Sequence, residues 1–213
     1  MHDINIHPPR LRVAIAPGVP SLQLSALLAL QRAEDPDTAL TLFEVAGDDL
    51  LEGLLEGRYD VGVSLSEASS PAFKTQPLWI ENMAVAIPLQ FPLLDQAALT
   101  ISDLHDCSVF RWQAEACPLL DHRLSSLLPV DQQNLQTVTS FEMMALRVAA
   151  GYGIGVSAQS RIEYAHGREI DMRPLSDGPY EIVTHLLRPN GQVSPAIDRF
   201  ERRAQQVAKA GST

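Results

Sequence analysis

Cysteine is nearly missing from this chain. Two residues, Cys107 and Cys117, occur among 213, too few for a disulfide scaffold and without the C-x-x-C spacing of a structural zinc site. The six histidines are scattered, and with no H-E-x-x-H pair no metal-ligand set is expected. Positive charge is scarce too: 16 Lys and Arg stand against 26 Asp and Glu, a net charge of −10. Nucleic-acid binding draws its affinity from neutralised phosphates, so this balance argues against a DNA-binding module. No recognition helix with basic flanks occurs either. No apolar run approaches the roughly 20 residues of a membrane helix. The opening MHDINIHPPR has no cationic start and no apolar stretch, so no secretory signal is expected and a cytoplasmic location is the simplest reading. A G-x-S-x-G elbow is missing, and no serine, histidine and acid cluster follows from spacing, so an enzyme is not expected. No internal repeat recurs at a fixed period.

What is present is an ordinary globular composition, 46% hydrophobic and 20% charged, in a length that suits one large domain or two small ones. Leu11, Val13 and Ile15 alternate as in a strand, which Pro17-Gly18 breaks. Ser21 is placed to cap a helix carrying Leu24, Leu27 and Leu28 at helical spacing, and Pro36 marks its exit. Residues 39–45 read as a strand apolar on both faces, as in the interior of a parallel sheet. Asp49 and Glu52 form a capping box for a helix closed by Gly57, and 60–65 is a third strand. This βαβαβ order implies right-handed crossovers and a parallel sheet. Two strands are expected next, at 78–80 and 83–87, ended by Pro88. Then follow a short helix at 102–105, a strand at 108–112, a helix opened by Pro118, and a strand at 135–138. Residues 161–166 read as helix or turn, 170–175 and 181–187 as extended. A last helix starts at Ser194-Pro195 with Ile197, Phe200, Ala204 and Val207 as its buried stripe.

The most legible stretch is TSFEMMALRVAAGYGIGVS, from Thr139 to Ser157. Thr139 followed three residues later by Glu142 reads as a capping box. Phe141, Met144, Ala145, Val148 and Ala149 recur at helical spacing, Gly151 supplies the left-handed residue that ends a helix, and Ile154 and Val156 open a short buried strand. The glycines at 151, 153 and 155 follow a helix and open a strand, the reverse of a dinucleotide fingerprint, so no cofactor is expected. The start of this helix offers free N–H groups to an anion or polar ligand group.

A capped helix running into RVAAGYGIGVS resembles the signature of the effector-binding domain of LysR-type transcriptional regulators. The opening LRVAIAPGVPSLQLSALLAL is similar to that domain's first strand and helix, and so is DDLLEGLLEGRYDVGVSL at 48–65. The resemblance spans roughly residues 10 to 205 as an ordered set of weak motifs. It implies an α/β fold of two Rossmann-like subdomains in the periplasmic-binding-protein type II architecture. Subdomain I comprises 10–88 plus 182–208 and subdomain II 89–181, with 1–9 and 209–213 as flexible ends. Such regulators begin with a winged helix-turn-helix and a linker helix, and neither is found here. The chain is therefore expected to be an excised sensing domain, reaching DNA only through a domain it does not contain, or a stand-alone binding or decoy protein. The family's effector domains pair antiparallel through the first helix, so the leucine-rich residues 22–32 imply a homodimer or higher homo-oligomer.

In open α/β sheets ligands collect at the carboxyl ends of strands. That rule, with the family's ligand-lining segments, points to Gly18, Val19, Ser21 and Ser64 in the first subdomain. In the second it points to Arg111, Trp112, Gln113, Thr139 and Ser140. Family members often place a hydroxyl residue after the first strand; Pro17-Gly18 stands there instead, leaving backbone N–H groups as donors. Arg111 is expected to grip a carboxylate and Trp112 to wall the ligand body, which favours a small organic anion. Cys117 precedes Pro118 at a helix start, where dipole and free amides lower a thiol pKa. It also falls near the sensing cysteine of peroxide-responsive LysR-type regulators, though no resolving cysteine occurs at 124–128. Two inert thiols are the favoured reading, with a redox sensor through Cys117 as the alternative.

Overall fold

Val13 and Ala14 are fully buried in strand β1, Arg10–Ile15, because it lies between two parallel partners. One is β2, Ala39–Glu44, and the other β3, Val61–Ser64, reached through helices α1, Ser21–Glu34, and α2, Gly47–Leu55. The computed structural model describes residues 8–128, 135–165, 167 and 169–211. Asp60 pins the entry to β3 by accepting from the Arg12 backbone N–H at 2.7 Å and from its guanidinium at 3.1 and 2.7 Å.

The expected burial of β2 on both faces is corrected, since most of its residues are exposed. It is the outermost strand of the order β2-β1-β3-β9-β4-β7-β5-β6, so only one edge is paired, and Leu42 and Phe43 remain 43% and 36% exposed. The two strands expected at 78–80 and 83–87 are one, β4, Phe73–Pro88. Pro77 cannot donate to a ladder, and the register shifts between Pro77 and Trp79 instead of the strand ending.

The last strand, β9, Glu181–Pro189, lies antiparallel between β3 and the first part of β4, as far as Asn82. From Met83 onward β4 pairs with β7, Ile154–Ala158, and β8, Ile170–Pro174. Strands β5, Val109–Trp112, and β6, Leu135–Val138, complete a second parallel set beside β7. Among the described residues four more α-helices follow, α3, Pro118–Leu127; α4, Phe141–Ala149; α5, Gln159–Tyr164; and α6, Pro195–Ala210, with short 3-10 turns at Pro92–Asp95 and Ile101–Leu104.

The caps of α1 and α4 fall one residue from where the sequence suggested. The Ser140 hydroxyl accepts from the Met143 N–H at 3.1 Å, so Ser140 caps α4 and Glu142 is free to pair elsewhere. Helix α2 starts at Gly47 with no side-chain cap, leaving Asp48 and Asp49 to favour its positive end. Pro20 occupies the cap position of α1; the side chain of Ser21 lies outside the described residues. On α6, Ser194 caps as expected, and Ala196, Phe200 and Ala204 are buried against the first half.

Candidate functional site

The strands of each parallel set end toward the other half, and the two halves touch there. After β1 the chain turns through Pro17-Gly18-Val19, with Gly18 at φ +88°. A Cβ on Gly18 would lie 2.8 Å from Cys117 Sγ and 3.3 Å from both Leu120 Cδ1 and Leu65 Cδ1. The backbone of the first half thus rests directly on the start of α3, an approach only glycine permits. Val19 N–H closes the turn to Ala16 O at 3.4 Å, and Gln113 O accepts from the Cys117 N–H at 3.0 Å. Burial pushes the Cys117 thiol up to about 11, outweighing the lowering by the helix start and by Arg161. The expected lowering of this pKa is therefore corrected: at 3% exposure, loss of water disfavours the thiolate more than the amides favour it.

The cation of this seam is Arg161, which sequence reasoning did not single out. It sits in the first turn of α5, directly after β7. Its Nη1 donates to Val19 O at 3.2 Å, its Nη2 lies 3.6 Å from Glu142 Oε1, and its guanidinium stands 5.1 Å from the centre of the Phe141 ring. The side chain is 14% exposed. Burial lowers its pKa, with Glu142 and Glu44 opposing. The strand-end rule applied to Arg111 applies equally here; a six-residue helix without a side-chain cap hid the position.

A family model for the LysR substrate binding domain matches residues 7–209. The chain belongs to that family. Its fold is the periplasmic-binding-protein type II fold of LysR substrate-binding domains. The hydrogen peroxide-inducible genes activator of Haemophilus influenzae is 24% identical over 203 residues, 93% of this chain. The chain spans 66% of that relative's own length. Among solved structures, the BenM effector-binding domain with its effector benzoate superposes with a TM-score of 0.81 at 23% identity, covering 96% of this chain and 95% of that one. The reduced OxyR regulatory domain of Pseudomonas aeruginosa gives 0.81 at 20% identity, covering 95% and 97%. Among the described residues of this LysR domain, no helix is long and apolar enough to cross a membrane.

Within the LysR domain the remaining expected residues divide by face. Arg111 Nε and Nη2 lie 2.7 and 2.6 Å from Asp121 Oδ1, so its guanidinium is held on the α3 side of β5. Trp112, its neighbour, points to the opposite face, the one α4 covers, and is 1% exposed. On that face Arg147 stands 4.4 Å over the Phe110 ring, and a Cβ on Gly155 would lie 2.5 Å from Met144 Sδ. The parallel register of β5 and β7 runs Val109↔Ile154 and Phe110↔Gly155, and Trp112 and Ser157 follow it at the carboxyl-end portions of the two strands. Trp112 Nε1 and Ser157 Oγ are both buried without a hydrogen-bond partner among the described residues. Such groups call for an explanation, since each costs about 1–3 kcal/mol when left unmet.

Gln113 anchors the loop by donating to Val138 O at 2.8 Å. Thr139 is exposed beside the Ser140 cap. Ser64 is 6% exposed, accepts from the Ser66 N–H at 3.1 Å and pairs with His185. Contacts therefore join Gly18, Val19 and Gln113 through Cys117 and Arg161, and join Ser140 through Phe141. Ser64 reaches the seam only through its neighbour Leu65, and Arg111 faces away toward Asp121.

Proposed function

We propose that this chain is the ligand-sensing part of a LysR-type transcriptional regulator. A small acceptor-rich molecule, an organic anion, sits between subdomain I (10–88 plus 182–208) and subdomain II (89–181). The observation that carries this reading is the pair of unmet donors, Trp112 Nε1–H and Ser157 Oγ–H, each buried near the carboxyl end of its strand, β5 and β7. The N-terminal amides and dipole of α4 add donors at the same end. BenM, a structural neighbour, was solved with benzoate, an anion of this class. The ligand would be identified by native mass spectrometry after gentle isolation. Trp112→Phe and Ser157→Ala should each weaken it about 5–15-fold, one hydrogen bond's worth. Equal calorimetric affinity for wild type and both variants would remove the seat from this place. Arg111→Met, which releases Asp121, should act on stability instead.

In the whole regulator, ligand-driven rotation of the halves would rearrange an oligomer on DNA through a domain outside this chain, in the cytoplasm and without catalysis. Leu22 on α1 is 47% exposed, and Met143 and Leu146 on α4 are 46% and 63% exposed. Burying these between two copies gives a homodimer. Sedimentation at micromolar concentration should show that dimer; a strictly monomeric species would oppose it.

The peroxide-activator relative raises a thiol-sensor reading through Cys117. With that thiol pushed up to about 11, its reactive thiolate accumulates only as pH rises toward that value. Mild peroxide at neutral pH should leave Cys107 and Cys117 unlinked and association unchanged. Rapid sulfenic acid at Cys117 alone would promote the sensor reading.

A further inference from the structure

Beside the N-terminal half of α1, a crevice of about 310 Å³ opens where the first half meets α5. Its walls include Leu24 and Leu28 from α1 and Leu42 and Phe43 from the edge strand β2. Two charged groups line it, Arg161 and Glu44. Arg161 carries five N–H donors. Its contacts among the described residues are one carbonyl, Val19 O at 3.2 Å, the Phe141 ring at 5.1 Å and the exposed carboxylate of Glu142 at 3.6 Å, beyond hydrogen-bond length. A guanidinium that is only 14% exposed and so sparsely paired retains most of its desolvation penalty. An anion entering from the apolar side offsets that penalty, and a hydrocarbon body attached to it covers Leu42, which is 43% exposed.

We infer that this crevice is a second ligand site, distinct from the seat at Trp112 and Ser157, and that it takes an amphipathic monocarboxylate. The carboxylate pairs with the Arg161 guanidinium and the apolar body lies along Leu24, Leu28 and Leu42. Glu44 is exposed and repels a second negative charge, so dicarboxylates are excluded. Because Arg161 belongs to subdomain II and the walls to subdomain I, an occupant holds the two halves in their present juxtaposition.

Octanoate, suberate and octylamine are the probes, titrated calorimetrically into the whole chain with thermal unfolding alongside. Octanoate should bind at one saturable site and raise the Tm, and octylamine should not bind. Suberate should bind at least about tenfold more weakly than octanoate, a gap that Glu44→Gln closes. Arg161→Gln should lose at least about tenfold in octanoate affinity. Because removing a buried arginine can unsettle the fold, Leu42→Glu is the second variant. It changes an exposed position, should keep the wild-type Tm, and should lose octanoate to the same degree. Octylamine binding as well as octanoate would reduce the crevice to an apolar surface. Octanoate affinity unaffected by Leu42→Glu but lowered by Trp112→Phe would move the carboxylate to the inter-subdomain seat. Either result, or no saturable octanoate binding, overturns the inference while leaving the effector seat standing.

Discussion

Replacing Gly18 with alanine is expected to destabilise the chain by about 2–5 kcal/mol. Two effects add. The backbone at φ +88° is strained for any L side chain, worth roughly 1–2 kcal/mol. The new methyl would also meet Cys117 Sγ at 2.8 Å, and overpacking of that kind costs about 1–3 kcal/mol. The second effect depends on the sulfur and the first does not. Cys117→Ala in the Gly18→Ala background should therefore recover about 1–2 kcal/mol, although Cys117→Ala alone is destabilising through the cavity it leaves. A double-mutant cycle by urea unfolding reads the coupling directly. Additive effects would mean that the loop after β1 and the start of α3 do not touch in solution, and the seam described above would have to be redrawn.

The second large effect lies between β9 and α6. Glu201 accepts from Arg188 Nε at 2.5 Å and from Lys74 Nζ at 3.3 Å, and the Glu201 and Arg188 side chains are 9% and 12% exposed. Glu201→Ala strands the arginine in a site nearly closed to water and should cost about 3–5 kcal/mol. Replacing both partners, Glu201→Met with Arg188→Met, should restore most of that loss, because two apolar side chains of similar volume need no pairing. Lys74 is 43% exposed and rehydrates. A single-mutant loss below about 1 kcal/mol would class the pair with screened surface bridges.

Element order was legible because apolar spacing follows the backbone period. The helices α1, α3, α4 and α6 start within a residue of their capping or proline signals. The failures share a cause. Whether β2 is central or outermost, and whether β4 is one strand or two, depends on partners far along the chain. Leu42 and Phe43 look like core residues until the sheet order places them at the rim. The same holds at the seam. Strand-end reasoning located the segments that meet, but neighbouring residues on a strand face opposite ways. Arg111 turns toward Asp121, ten positions on at the first turn of α3, while the cation that reaches Val19 comes from α5. Nothing in local spacing distinguishes those two arginines. Nor could the pattern reveal that Trp112 and Ser157 would be buried with their polar atoms unmet, since that depends on how distant elements cover β5 and β7.

The position of β9 has a consequence for how the molecule is made. Gly62 pairs with Leu187, and Phe73 with Pro189, so the strand between β3 and β4 leaves the ribosome after β1 to β8 have done so. Until it arrives, the first half has two unpaired strand edges and lacks α6 over its buried face. Closing such a long loop is slow, and open edges invite pairing with other chains in the meantime. The second half, whose strands β5 to β8 lie within one continuous stretch, needs only the latter part of β4 and can form earlier. Synthesis thus runs from N to C while assembly finishes on the N-terminal sheet, and the seam between the two halves is completed last.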